Sequence, residues 1–405
     1  MNQRKPRLLW ASVYCLLDTA SGASMAVREM LLQLVQHGYE VTILGATVFD
    51  HARGTSGLLE QWPAMQEQKG KLVSLIDGVL EHKLYVTDST QRDKMTSREE
   101  STWFNLYLQA LELYKPDVVF YYGGQPFDFL IAHEARGRGI PVVFYLANGS
   151  YTQTRWCRDV DMVLTDSQAT ADMYTRRLGV SPVPVGAFID PARVVASSHT
   201  RERVVFINPV LEKGVVVVIR LAMLLEQRRP DIIFEVVESR GKWADMLHAV
   251  SAAMGQPREA LSNVVVTANT GDMRPVYGRA RVLLAPSLWW ESSGRVLAEA
   301  MLNGIPAICT DQGGMPEMVQ DGGLILKLGA GYYEPPYNGV PPDEALQPLV
   351  HYLEALFDNE AQYAELAARA YRVGQTQHHL NASSQRLLDA LEPLVKRRAG
   401  EKATA

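Results

Sequence analysis

Short apolar runs alternate with segments of helical period along nearly the whole chain, and that alternation admits little besides parallel sheets covered by helices. Residues 8–14 read as a buried strand and 18–24 as a polar, glycine-containing loop, while Val27, Met30, Leu31, Leu34 and Val35 form one helical stripe that Gly38 stops. The same logic recurs with strands at 39–46, 117–122, 141–146 and 162–165. Residues 49–100 are less regular, with strands expected at 72–76 and 83–86, and read as insertion and loop material on this first domain. A proline-rich stretch, 181–191, reads as an interdomain crossing. A second series follows it, with strands expected at 204–207, 232–237, 263–266, 282–285 and 307–310, then helical sequence from 342 to 395. A chain of 405 residues, 47% of them hydrophobic, has material for two ordinary domains. The fold class expected is α/β with two Rossmann-like, doubly wound domains, 1–188 and 189–374, facing across a cleft that is the default binding site. Residues 375–405 are expected to pack back on the first domain.

Formal net charge is −5, which does not favour a nucleic-acid surface. Cys15, Cys157 and Cys309 lie far apart beside apolar runs and read as ordinary thiols in a reducing compartment. The apolar run after the basic N-terminus is broken by Ser12 and stopped by Asp18, with no cleavage pattern behind it, and no stretch approaches the ~18 apolar residues of a spanning helix. A cytoplasmic protein, at most peripheral to a membrane, is expected. Metal is not indicated, because the cysteines are unpaired in sequence and H-E-x-x-H is missing. The D-x-D at Asp159 and Asp161 precedes a strand instead of following one and reads as a solvated turn. The adjacent pair His378 and His379 reads as surface. Trp289 and Trp290 read as core packing at a strand end, with stacking on a sugar or base as the alternative.

The sharpest feature is Pro286-Ser-Leu-Trp-Trp-Glu291-Ser-Ser-Gly294-Arg-Val-Leu-Ala-Glu299, directly after a strand. It reads as a short loop and a helix starting near Gly294, with Ser292 or Ser293 as its cap and Arg295 in its first turn. The dipole end and amides of such a helix suit a diphosphate, and Gly294 lets a ligand approach the backbone. Glu291 and Glu299 flank this start, and acceptor-only carboxylates suit the hydroxyls of sugar and ribose.

This segment resembles the E-x(7)-E signature of the retaining GT-B glycosyltransferases of family 4. Thr310-Asp-Gln-Gly313-Gly314-Met-Pro316-Glu317 is similar to that family's next glycine-rich loop, and Asn208-Pro-Val-Leu-Glu-Lys213-Gly214 to its lysine-glycine motif. The resemblance implies metal-independent transfer of a sugar, with retention of configuration, from a nucleoside diphosphate sugar acting as co-substrate, with no further cofactor. It implies Lys213 and the backbone at Gly294 on the leaving diphosphate, Glu291 on hydroxyls of the transferred sugar, and Glu299 on the ribose, with Ser293, Arg295, Gly313 and Gly314 around the donor. Gly22 and Ala23, at the first helix, match the place of a glycine-bearing loop in the family, and a plain strand-to-helix turn explains them equally. The chain departs from the pattern at Asn208, where family members carry arginine, so that Arg240 or Arg295 would substitute as phosphate partner. It departs again at Ala147, where many members place a histidine. Asn148 beside it offers hydrogen bonds but no proton transfer. The acceptor, whether glycan, lipid-linked, natural product or protein, is open. Rival readings are a nucleotide-sugar epimerase on the same scaffold and a degenerate homologue that binds sugar or protein.

Overall fold

The computed structural model describes residues 4–58 and 60–404, with side chains described as far as residue 398. The chain divides into two compact units, one running to Phe188 and resuming at Ser383, the other comprising Ile189–Ala382. Residues 375–382 therefore lie in the second unit, and the return to the first begins eight residues later than position 375.

The first unit is built on an eight-stranded sheet. Its strands are β1 (Arg7–Ala11), β2 (Glu40–Ala46), β3 (Leu72–Asp77), β4 (Leu80–Tyr85), β5 (Val118–Tyr121), β6 (Val142–Leu146), β7 (Met162–Thr165) and β8 (Val183–Pro184). Their order is β3-β4-β2-β1-β5-β6-β7-β8, parallel throughout except for the antiparallel β3–β4 hairpin. The stretch 72–85 is thus sheet rather than loop material. Ile43 of β2 pairs with His82 of β4, and Leu80, His82 and Leu84 alternate inward and are buried. The first strand ends earlier than the apolar run, at Ala11, and Ser12 turns its hydroxyl to the Tyr122 carbonyl at 3.0 Å. Helix Gly22–Gln36 is capped by Ser21, and helix Ser97–Tyr114 by a reciprocal Thr96–Glu99 capping box. Leu9, Val119, Tyr121, Phe144, Trp103, Tyr107 and Tyr174 form one core between sheet and helices.

The second unit carries a six-stranded sheet of β9 (Arg203–Ile207), β10 (Ile233–Val237), β11 (Val264–Thr267), β12 (Ala280–Ala285), β13 (Ala307–Thr310) and β14 (Gly323–Leu326). All neighbours are parallel and the order is β11-β10-β9-β12-β13-β14. This is the doubly wound order, with its switch point between β9 and β12. β14 was not expected from the sequence. Helix Val215–Arg228 opens with Val215, Val216, Val217 and Val218, all fully buried, a hydrophobic girth that only a helix wrapped by sheet and neighbours tolerates. Helix Glu360–Gln377 crosses helix Arg295–Leu302 so closely that a Cβ on Gly374 would fall 2.4 Å from the Met301 carbonyl oxygen. His378, read from sequence as surface, is buried, with its Nε2 2.7 Å from the Met318 carbonyl oxygen. Beyond it, Ser383 donates to the Ala187 carbonyl, Ser384 to Gln33 and Arg386 to the Val185 carbonyl, all inside the first unit. Among the described residues no helix is long and apolar enough to cross a membrane.

Candidate functional site

In doubly wound sheets, ligands bind outside the carboxyl ends of the strands at the switch point. In the second unit that edge is formed by the loops after β9 and β12. The first of them starts at Asn208, which takes a left-handed conformation (φ 66°). Its N–H donates to the Val237 carbonyl at 2.8 Å, and its side-chain oxygen accepts the Arg240 N–H at 2.9 Å. Asn208 therefore ties the ends of β9 and β10 together, and its oxygen is committed to backbone. Arg240 is exposed. A turn, Leu211–Lys213, then leads to Gly214 at φ 77°, where a Cβ would lie 1.9 Å from the Pro286 carbonyl oxygen. Only glycine allows that approach. The Leu288 N–H donates to the Glu212 carbonyl at 2.9 Å, and Ser287 Oγ lies 3.0 Å from the same oxygen. The two loops are thus stitched into one piece.

On that piece the Lys213 ammonium pairs with the Glu291 carboxylate. Ser287 Oγ donates to the same carboxylate at 2.7 Å. Glu291 is 8% exposed, and burial alone would raise its pKa; the charge and hydrogen bond of Lys213, with the bond from Ser287, outweigh burial and hold it below the usual range. It is an ionised hydrogen-bond acceptor at neutral pH. The Lys213 ammonium also lies 5.3 Å from the ring centre of Trp289. Trp289 is 36% exposed, so it is a surface aromatic of the site and not the core residue expected.

Gly313 (φ 62°) packs on Glu291 from the loop after β13, where a Cβ would fall 1.9 Å from the Glu291 carbonyl oxygen, and the Gly314 N–H donates to that oxygen at 2.8 Å. Gly294 (φ 79°) is itself the N-terminal cap of helix Arg295–Leu302, with no side-chain capping bond, so neither Ser292 nor Ser293 caps it as expected. The left-handed Gly294 turns the chain into the helix too abruptly for the preceding serines to occupy the capping position. Both serines are buried beside it. Glu299, 7% exposed, accepts the Tyr277 hydroxyl at 2.5 Å and Arg295 Nε at 2.8 Å. Burial, reinforced by Glu299, keeps the Tyr277 phenol protonated far above its usual range, so Tyr277 is a fixed donor that orients the carboxylate. Arg295 is paired along its own helix with Glu299. Glu291, Lys213, Gly294, Gly313 and Gly314 come together here; Asn208 is drawn into backbone support.

In the first unit, Gly22 opens helix Gly22–Gln36 with nothing within 4 Å of a Cβ built on it, and Ala23 is half-buried beside it. Ser24 Oγ meets the Tyr122 hydroxyl at 2.8 Å. Asn148 accepts the Ser150 N–H at 3.0 Å and closes a local turn, while the half-buried Ala147 offers no polar group. Asp159 is paired with Arg158 and His133, and Asp161 accepts the Val142 N–H and Arg397, so the D-x-D is structural. The sequence reading missed a charged cluster at the carboxyl edge of this sheet. Asp128, fully buried, has its Oδ1 3.6 Å from Arg92 Nη2, and Gly123 (φ 146°) sits where a Cβ would meet Asp128 at 2.4 Å. Tyr151 donates to the Gly123 carbonyl at 3.1 Å. The glycine pair directly after β5 was its signal. Among the described residues no cluster of histidine, cysteine and carboxylate groups forms a metal site.

Residues 192–373 match the family model described as glycosyl transferases group 1. Among solved structures, sucrose-phosphate synthase from Thermosynechococcus elongatus is 14% identical, with 97% of this chain and 100% of that chain covered and a TM-score of 0.69. HepE of Anabaena, in complex with UDP and glucose, is 15% identical over 96% of this chain and 100% of its own, at a TM-score of 0.66. UDP-GlcNAc 2-epimerase from Neisseria meningitidis, bound to UDP-GlcNAc, is 13% identical over 95% and 100%, at 0.54. No curated protein matches the chain. The likeness is one of fold, the two Rossmann-like units of the GT-B type.

Proposed function

We propose that this chain, whose residues 192–373 match the group 1 glycosyltransferase model and whose fold is of the GT-B type, transfers a sugar, with retention of configuration, from a nucleoside diphosphate donor to an acceptor hydroxyl. The observation that carries this reading is the Lys213–Glu291 pair, which joins the loops after β9 and β12 at the switch point. A cation and a buried, ionised carboxylate side by side suit a ligand carrying both negative charge and hydroxyls. Lys213 and the amides at the start of helix Arg295–Leu302 take the diphosphate, Glu291 accepts hydroxyls of the transferred sugar, and Glu299, aimed by Tyr277, accepts the ribose. In the step itself, the bond from the anomeric carbon to the leaving phosphate oxygen breaks, a bond to the acceptor oxygen forms, and the acceptor proton passes to the diphosphate. Fixed protein donors stabilise the leaving group, so no metal is required. Support for a nucleotide sugar comes also from HepE, which shares the fold and was crystallised with UDP-glucose.

A thermal-shift screen of UDP, GDP, ADP and dTDP and their sugars identifies the donor, since a ligand bound only by the folded state raises the melting temperature. With that donor, Lys213→Ala and Glu291→Gln are each expected to lower nucleotide release by roughly 10²–10³-fold, the range for loss of one preorganised transition-state contact. Transfer near the wild-type rate by both variants, with circular dichroism unchanged, would sink the site. Epimerised donor in the absence of acceptor would point to the epimerase instead.

A further inference from the structure

Trp289 touches both members of the Lys213–Glu291 pair. Its backbone N–H reaches the Glu212 carbonyl oxygen at 3.4 Å, beside the 2.9 Å bond from Leu288, so the loop after β12 sets Trp289 against the turn that carries Lys213. Leu288 goes into the core, 1% exposed, while Trp289 stays at the surface. The Lys213 ammonium lies over the indole ring, 5.3 Å from its centre, within reach of a cation on an aromatic face. Lysine ends in a point charge on a flexible stem, and the Lys213 side chain is 31% exposed, so an electron-rich face beneath it restricts where the charge can go. At its other end the indole hydrogen bonds to the Glu291 carboxylate. Burial raises the pKa of that carboxyl, and Lys213, Ser287 and Trp289 together bring it down. Lys213 and Ser287 both bind Oε1, and contacts to one oxygen leave the carboxylate plane free to turn. Ser287 has a single hydroxyl proton, with the Glu212 carbonyl oxygen also in its reach at 3.0 Å. A further donor from the indole restricts that turn. Tryptophan joins a face for a cation to an N–H for a carboxylate; phenylalanine keeps only the face, and leucine has neither.

We infer that Trp289 is a positioning residue of the donor site, fixing Lys213 with its ring and Glu291 with its N–H so that both meet one ligand. The role rests on the donor reading above, in which Lys213 takes the diphosphate and Glu291 the hydroxyls of the sugar. The two ends of the indole then serve different parts of the ligand. Its ring supports the contact to the diphosphate, which every nucleoside diphosphate carries, and its N–H supports the contact to the sugar, which only the nucleotide sugar carries. A tryptophan present for packing alone makes no such division.

Titration calorimetry of the full chain, with whichever of UDP, GDP, ADP and dTDP the thermal screen selects and with its sugar, separates the two contacts. Trp289→Phe should weaken the nucleotide sugar about tenfold, the loss of one hydrogen bond to a charged group, and leave the bare nucleotide within about twofold. Trp289→Leu should weaken both, because Lys213 also loses the ring beneath it. Wild-type affinities in Trp289→Phe, or an equal loss of nucleotide and nucleotide sugar in that variant, overturn the role. Should Trp289→Leu fail to fold by circular dichroism, the comparison within Trp289→Phe decides alone. A wild-type chain that binds none of these nucleotides or their sugars overturns the donor reading and the role with it, whereas binding that Trp289→Phe leaves unchanged overturns the role alone.

Discussion

At the scale of single residues, Asp128 makes the clearest pH prediction. Burial lifts its carboxyl from 3.8 to about 6, against the opposing charge of Arg92 and the Gln125 N–H. A carboxyl whose folded pKa is raised holds its proton more tightly folded than unfolded, so its contribution is fully present below pH 3.8 and is lost as pH rises through about 6. The loss is on the order of 2–3 kcal/mol. Asp128→Asn is expected to flatten this slope, so that melting temperatures at pH 5 and pH 7.5 differ less in the variant than in the wild type; an unchanged difference would mean that Asp128 is not the group responsible. Glu291 has the opposite sign: its depressed pKa gives stability present above the unfolded value and lost on acidification. Glu291, Gly294 and Glu299 stood out as candidates because a strand followed by a loop with paired carboxylates and a glycine leaves few other physical readings, and Lys213 because Asn208–Gly214 resembles a lysine-glycine motif. The pairing of Lys213 with Glu291 was not legible, since 78 residues separate them and only the sheet order brings their loops together. Asn208 was read as a weakened phosphate partner, and its positive φ, invisible in sequence, shows it to be a backbone clasp. His378 was misread because it was assigned to a helical surface, whereas it caps the end of helix Glu360–Gln377 and its ring turns to the Met318 carbonyl.

At the scale of elements, the site helix Arg295–Leu302 is held from behind by Gly374 of helix Glu360–Gln377. Gly374→Ala should push the two helices apart, cost about 1–3 kcal/mol and lower the melting temperature by several degrees, with weaker donor binding because Glu299 rides on the displaced helix. A scanning calorimetry trace superimposable on wild type would refute the close packing. The alternating elements were read well where strands are continuous apolar runs, as at β9, β10 and β12. β14 escaped because Gly323-Leu-Ile-Leu is short and follows two glycine-rich turns, which local pattern reads as loop. The β3–β4 hairpin was placed outside the sheet because Leu80, His82 and Leu84 mix a titratable residue into the buried face, where Asp77 and Arg28 accompany the histidine.

At the scale of the whole molecule, two units with separate cores are expected to unfold as separable cooperative steps. Saturating nucleotide should raise the transition of the unit that holds Lys213 and Glu291 and leave the other within a degree or so. Tryptophan fluorescence will not separate the steps alone, since both units contain tryptophan; hydrogen exchange read by peptide will, and equal protection of both sheets by nucleotide would contradict a donor site confined to the second. The division into two doubly wound units was visible in the repeat of strand and helix. The exact place where the chain returns, Ser383, was not, because helix Leu380–Thr404 runs through it without a break in period.

That return has a consequence for synthesis. The first unit is discontinuous in the chain: Gln33, Val185 and Ala187 receive their partners from Ser383, Ser384 and Arg386. A nascent chain emerging from the ribosome can complete the second unit while the first still lacks its closing helix, so the part made first is the part finished last.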